Sequence, residues 1–219
     1  VFAVNAEHPP LSKLITGLFT LLLGSFGFSD IGALRVQACF FSALTCLSAY
    51  FTGSKIDRRV GVLSWVLLSL DPVSIRFAVA SLDVTSLFFS SISLYILLKA
   101  HPNSLKLYLL SGLFLGLATL CKYSAFPIVL GALVLILVGE RTSFKPAGLR
   151  ILLVASSAIV LLVLGNPLFW PPQILGFSGY TVFLQSSSRY TIGPAGICLT
   201  PLDWLEPVLK AWNTPHALF

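Results

Sequence analysis

The sequence predicts an all-α protein: a polytopic bundle of transmembrane helices, with about six to seven spans and additional interfacial helices. Of its 219 residues, 56% are hydrophobic and only 10% are charged, whereas about a quarter of an ordinary soluble domain is charged. Its apolar runs are bounded by basic clusters. The net charge of +6 therefore indicates cytoplasmic loops beside anionic headgroups, and no nucleic-acid partner is expected.

Two apolar runs, residues 60–98 and 107–138, are too long for one span of about 20 residues. Basic residues flank each run, so the positive-inside rule places both of its ends in the cytoplasm and predicts a hairpin of two spans. For residues 107–138 the alternative is one tilted helix with Lys122 at mid-bilayer, which would cost roughly 3 kcal/mol. We prefer the hairpin, although its two spans would have only about 15 residues each. The hairpins place four interrupting charges at the outer tips: Asp71, Arg76, Asp83 and Lys122.

Further ionisable residues reach the same outer face in this topology, namely Glu7, His8, Lys13, Asp30 and Arg35. Ionisable groups beside a transmembrane bundle are functional candidates, and their alternative is an ordinary loop charge or a snorkelling anchor. For Lys13 and Asp30 we favour that alternative. Arg35 opens a span directly after a loop that contains glycine, and for it we favour function.

The C-terminal part reads differently from the rest of the chain. Residues 1–170 are predicted to be transmembrane, and residues 171–219 to be an outer-face loop with an amphipathic interfacial helix. Thr200 and Pro201 are suited to the start of that helix, and Trp204 and Trp212 to headgroup depth. The alternative is that this helix packs against the bundle.

Two compositional features concern metals and chain ends. The four cysteines and three histidines have no metal-ligand spacing, so no metal site is predicted. The sequence starts without Met and contains none, and we interpret it as an internal fragment of a longer protein.

Four blocks of the sequence resemble the protein O-mannosyltransferase family of the GT-C superfamily, which uses dolichyl-phosphate-mannose. EHPPLSKLITGL resembles the family's HPPLxK signature, and LRVQACFFSALT the arginine-led span that follows it. LDPVSIRFAVASLDVTSLFF and GLATLCKYSAF are similar to two later family elements and occur in the same order. Ser12 stands where Gly or Ala is usual, and Tyr123 where Trp is usual.

This resemblance implies a GT-C-like fold and an inverting, polyprenyl-phosphate-sugar-dependent glycosyltransferase. It implies that Arg35 holds the donor phosphate, with Lys122 and Arg76 as helpers, since an arginine fork can bond two phosphate oxygens. Glu7, His8 and Asp83 would line the active-site cavity. The family's acidic catalytic motif lies upstream of the signature, so the catalytic base is expected before Glu7, outside this sequence.

The function that follows is transfer of a sugar, mannose in this family, from a polyprenyl- or dolichyl-phosphate donor to a Ser or Thr hydroxyl of a protein. The site would lie on the outer or lumenal face of a multi-pass protein, in a prokaryotic plasma membrane or in the ER membrane. Alternatives are a related GT-C transferase with a lipid or glycan acceptor, and a non-enzymatic transporter or scaffold. The charges gather at one face and no internal repeat is visible, which favours the enzyme over a transporter. No organic cofactor is expected, and a divalent cation is left open.

Overall fold

The structure, a computed structural model, describes residues 9–71, 83–101, 104–139 and 144–166. All of them belong to one compact unit, residues 8–179. Within these ranges the chain forms seven α-helices and one short 3₁₀-helix, with no β-strand. In chain order the elements are α1 (Pro10–Gly24), α2 (Asp30–Gly53), α3 (Arg58–Leu70), α4 (Asp83–Lys99), α5 (Leu105–Cys121), the 3₁₀-helix (Tyr123–Ala125), α6 (Phe126–Gly139) and α7 (Phe144–Gly165).

Local sequence signals explain where the first three helices start. Proline is well suited to the first turn of a helix because that turn has no use for its missing N–H, and α1 begins at Pro10. The Ser29 hydroxyl accepts a hydrogen bond from Gly32 N (3.2 Å) and caps α2. The Asp57 carboxylate accepts one from Arg59 N (2.7 Å) and caps α3.

Helices α4 and α5 form a close antiparallel hairpin. Near its middle, the Ser93 and Ser111 hydroxyls each donate to the other residue's backbone carbonyl, at 2.8 and 2.9 Å. Nearer the start of α4, the Ser86 hydroxyl donates to the Ala118 carbonyl (2.9 Å). Serine side chains are small, so the two backbones can approach closely, and each hydroxyl donates a hydrogen bond to the other helix.

Helix α2 runs parallel to α4. Early in both helices, the Gln37 amide donates to the Thr85 hydroxyl (3.2 Å). One turn further along, the rings of Phe41 and Phe88 lie 5.5 Å apart. Beyond the end of α2, the Lys55 ammonium lies 5.8 Å from the centre of the Tyr95 ring.

Helices α5 and α7 also run parallel, and glycine permits their contact. An added Cβ at Gly116 would lie only 2.9 Å from the Ala158 carbonyl oxygen. Toward the start of both helices, the Arg150 guanidinium lies over the Tyr108 ring at 5.6 Å. Helix α5 ends far from the point where α7 starts, because the two helices point the same way. Helix α6, which connects them in the chain, must therefore run in the opposite direction. The chain therefore reverses at Lys122, and the prediction of a turn there is confirmed.

These directions give the bundle two chemically different ends. The basic end holds the end of α2 and α4 and the start of α3, α5 and α7, together with Lys55, Arg58, Arg59, Lys99, Lys106 and Arg150. The other end, called here the Lys122 end, holds the start of α2 and α4 and the end of α5 and α7. Such segregation of basic residues is typical of proteins that follow the positive-inside rule.

The surface of the bundle is strongly apolar. Large side chains such as Leu21, Leu152 and Leu164 are 76%, 62% and 65% exposed, which indicates that these helix faces meet lipid or another apolar surface. By length and composition, two helical segments are suited to cross a membrane, Asp30–Gly53 and Ala147–Gly165. The remaining described helices are shorter, so the predicted count of about six to seven spans is not confirmed.

Candidate functional site

A salt bridge joins the open ends of the α4–α5 hairpin. Asp83 is the first residue of α4, and Lys122 directly follows α5 with an extended backbone (φ −157°, ψ 129°). The Lys122 ammonium lies 2.6 Å from an Asp83 carboxylate oxygen. The two side chains retain 33% and 37% exposure respectively, so this ion pair remains accessible from outside the helices.

The residue before Lys122 is attached to α1. The Ser12 hydroxyl donates to the Cys121 carbonyl (3.2 Å), and Ser12 is only 1% exposed. That carbonyl is one of the last in α5 and has no partner further along its own helix. The bond therefore ties the start of α1 to the turn that carries Lys122.

The residue after Lys122 is held by the end of α7. The Asn166 amide donates to the Tyr123 hydroxyl (2.7 Å), and Asn166 is 1% exposed. Burial raises the pKa of Tyr123, while the hydrogen bond from Asn166 acts in the opposite direction. Since the net shift is upward, the phenol stays protonated and neutral at physiological pH.

Arg35 lies on a different face of α2 from the groups that pack toward α4. Gln37 is fully buried and its amide nitrogen bonds to Thr85, while its amide oxygen has no hydrogen-bond partner among the described residues. Residues two positions apart on an α-helix are separated by a rotation of about 200°. Arg35 therefore points away from the Gln37–Thr85 contact, and it is exposed. The structure places Arg35 near the Lys122 end but does not bring it into contact with the Asp83–Lys122 pair.

A cavity of about 280 Å³ opens beside the salt bridge. Its walls come from α2, α3, α4 and the segment after Lys122, and they combine hydroxyl groups with aliphatic carbon. The lining residues are Ser42, Thr45, Cys46, Leu68, Asp83, Val84, Ser86, Leu87, Ser90, Lys122, Ser124, Ala125 and Ile128. Three of the hydroxyls, on Thr45, Ser86 and Ser90, donate to backbone carbonyls. The charged groups therefore stand at one side of a largely apolar cavity.

The structure brings together two of the residues predicted for the site, Lys122 and Asp83. Glu7, His8 and Arg76 lie outside the described residues, as does segment 171–219 with its predicted helix. Sequence reasoning missed the bonding roles of Ser12, Tyr123 and Asn166. Ser12 and Tyr123 were already visible as departures from the family pattern, and that signal could have identified both.

No three His, Cys, Asp or Glu side chains within the described ranges come together as a metal-binding group.

The model of the dolichyl-phosphate-mannose-protein mannosyltransferase family matches residues 7–170. The match contains the HPPLSK segment, α1 to α7, the Asp83–Lys122 pair and Asn166. No curated protein and no solved structure matches the chain. Because the family model covers most of the 219 residues, this chain belongs to the dolichyl-phosphate-mannose-protein mannosyltransferase family.

Proposed function

We propose that the protein transfers mannose from a dolichyl- or polyprenyl-phosphate donor to a Ser or Thr hydroxyl of a protein acceptor, with inversion at the anomeric carbon. Family membership implies a membrane glycosyltransferase of the mannosyltransferase type. The observation that carries the finer proposal is the position of Lys122. It is an accessible cation at a helix boundary, at the opposite end of the bundle from the basic loops.

The proposed reaction needs a cation where Lys122 stands. The acceptor oxygen attacks the anomeric carbon, and the bond from that carbon to the phosphate oxygen breaks. Its electron pair remains on the lipid phosphate, while the acceptor's proton passes to a carboxylate. A cation held beside the phosphate stabilises the charge that gathers there, and it does so most strongly at the transition state.

Lys122 is suited to that role because its ammonium can bond to a second partner besides Asp83. Its ammonium has three donors, and the contact with Asp83 is about one-third exposed. A phosphate that arrives at this side can bond to the ammonium while Asp83 keeps it oriented. Asp83 would thus line the site, with no proton transfer assigned to it.

Arg35 and Arg76 are proposed as further phosphate ligands, and Glu7 and His8 as residues of the same cavity. For Arg35 the support is its place near the start of α2, at the Lys122 end. Because Arg35 points away from Thr85, Arg35 and Lys122 could bond to the same phosphate only if α2 turned about its axis when the donor binds. The catalytic base is proposed to precede Glu7 in the whole protein.

We also propose a membrane orientation. The basic end would lie in the cytoplasm and the Lys122 end at the outer or lumenal surface, because positively charged loops are retained in the cytoplasm. The donor phosphate would then lie at headgroup level, with its hydrocarbon tail among the exposed leucines. Residues 1–170 would form the transmembrane domain, and residues 171–219 an outer-face loop beside it.

The test is transfer of mannose from dolichyl-phosphate-mannose to an acceptor peptide by the intact protein in nanodiscs. Lys122→Ala is expected to lower turnover by about a hundredfold, the usual cost of losing one group that stabilises developing negative charge. The matched control is Lys106→Ala, which removes a lysine at the basic end and should leave turnover near that of the parent. Equal turnover of Lys122→Ala and parent would contradict the assignment of Lys122.

A further inference from the structure

Three consecutive residues at the end of α5 are each held by a different part of the chain. The Cys121 carbonyl accepts a bond from Ser12 of α1, and the Lys122 ammonium pairs with Asp83 of α4. The Tyr123 hydroxyl accepts a bond from Asn166, just beyond α7. The segment 121–123, called here the Lys122 turn, is therefore restrained on three sides.

The restraint matters because of the local backbone. Lys122 leaves the helix with extended φ and ψ values, and the 3₁₀-helix begins at the next residue. A lysine side chain has four rotatable bonds, so the backbone at Lys122 sets the region that the ammonium can reach, and the bond to Asp83 selects its position within that region. Bonds to the residues on either side of Lys122 are suited to fix that backbone.

Asn166 provides the restraint from α7. It is 1% exposed, and its bond to the Tyr123 hydroxyl is short at 2.7 Å. It follows Gly165, at which an added Cβ would meet the Leu120 side chain, so the end of α7 lies directly against the end of α5. The bond thus spans a close contact between two helix ends and joins the buried Asn166 amide to the half-buried Tyr123 hydroxyl.

We propose that Asn166 is a positioning residue for Lys122: through the Tyr123 hydroxyl it holds the Lys122 turn so that the ammonium faces the donor phosphate. This inference rests on the proposed function, since it assumes that Lys122 contacts the phosphate. Asn166 is assigned no contact with the reacting atoms, so its effect is expected on the use of the donor and not on the binding of the acceptor.

The experiment measures donor KM, acceptor KM and kcat of the intact protein in nanodiscs for Tyr123→Phe, Asn166→Leu and the double variant. Each single change is expected to raise the donor KM about five- to tenfold, as for one hydrogen bond, to lower kcat because Lys122 acts at the transition state, and to leave the acceptor KM unchanged. The effect of the double variant should be smaller than the product of the two single effects, because both changes remove the same bond. Ser156→Ala is the control, since it removes a hydrogen bond that lies within α7.

A background that lacks the lysine separates positioning from general damage. In Lys122→Ala, a further Tyr123→Phe change should alter the donor KM less than about twofold, because there is no ammonium left to position. An undiminished effect in that background would overturn the inference, as would an equal rise in both KM values. Tyr123→Phe removes one oxygen atom only, so it keeps the test valid if Asn166→Leu fails to fold.

The two proposals fail in different ways. If Lys122→Ala lowers transfer but Tyr123→Phe and Asn166→Leu leave the donor KM at the parent value, only the positioning role is wrong. If Lys122→Ala itself leaves the donor KM and kcat unchanged, the phosphate assignment is wrong, and the positioning role falls with it.

Discussion

Lys122 and Asp83 are 39 positions apart in the sequence, yet the ammonium of one lies 2.6 Å from the carboxylate of the other. Antiparallel pairing of α4 and α5 brings them together, because Asp83 opens the first helix and Lys122 follows the second. The pair stands at the end of the bundle away from the basic loops. Four predictions follow from this arrangement and from the helix contacts around it.

The ion pair and the phosphate role of Lys122 are separable by exchanging the charges. Lys122→Asp and Asp83→Lys should each abolish mannose transfer and slightly lower thermal stability, because each places two like charges together. The double exchange should recover the stability, since the pair is restored, but not the transfer. The expected changes in the free energy of unfolding are small, below about 1 kcal/mol, because both side chains of the pair are about one-third exposed.

Thermal unfolding and peptide mannosylation measure the two properties on the same preparations. If the double exchange regained most of the parent activity, the lysine's only role would be its bond to Asp83.

Arg35→Ala should lower transfer by about a hundredfold, as expected for loss of a charged contact to a developing anion. Arg35→Lys should recover part of this loss, since an ammonium keeps the charge but not the paired bonds. The matched control is Arg59→Ala, an exposed arginine at the basic end, which should transfer mannose normally. Normal mannose transfer by the Arg35→Ala variant would exclude Arg35 from the site and leave Lys122 as the phosphate ligand.

The orientation of the bundle is testable by cysteine labelling in a background where Cys39, Cys46, Cys121 and Cys198 are replaced by serine. Cysteines introduced at Ile56 and Leu105, which are 82% and 44% exposed at the basic end, should react only from the cytoplasmic side. A cysteine at Ser124, beside Lys122, should react only from the outer side. Labelling of Leu105 and Ser124 from the same side would contradict a membrane-spanning α5.

The contact between α5 and α7 predicts which glycines tolerate a methyl group. Gly116→Ala should destabilise the protein by about 1–3 kcal/mol, the usual cost of overpacking, because the new Cβ would lie 2.9 Å from a backbone oxygen of α7. Gly131→Ala is the control: nothing lies within 4 Å of its Cβ position, and alanine favours the helix. In thermal unfolding in detergent, Gly116→Ala should therefore lower the melting temperature and Gly131→Ala should not. Equal melting temperatures of the two variants would argue against close packing of α5 on α7.

The sequence by itself determined the helical class, the family and the reversal of the chain at Lys122. These follow from composition, from short motifs, and from the cost of placing a lysine at mid-bilayer, all of which are local or additive properties. It also identified Lys122 and Asp83 as candidates, because charges within apolar runs are conspicuous.

Only the tertiary structure decided which of these residues meet. Three contacts depend on how four helices align: Lys122 with Asp83, Ser12 with the Cys121 carbonyl, and Asn166 with Tyr123. Helix alignment is set by side-chain fit, such as the glycine contacts of α5 with α7, and hydropathy does not encode it. The apolar pattern placed Arg35 only at the outer face, and the family resemblance assigned it to the donor phosphate. The structure shows Arg35 on the face of α2 opposite the buried Gln37.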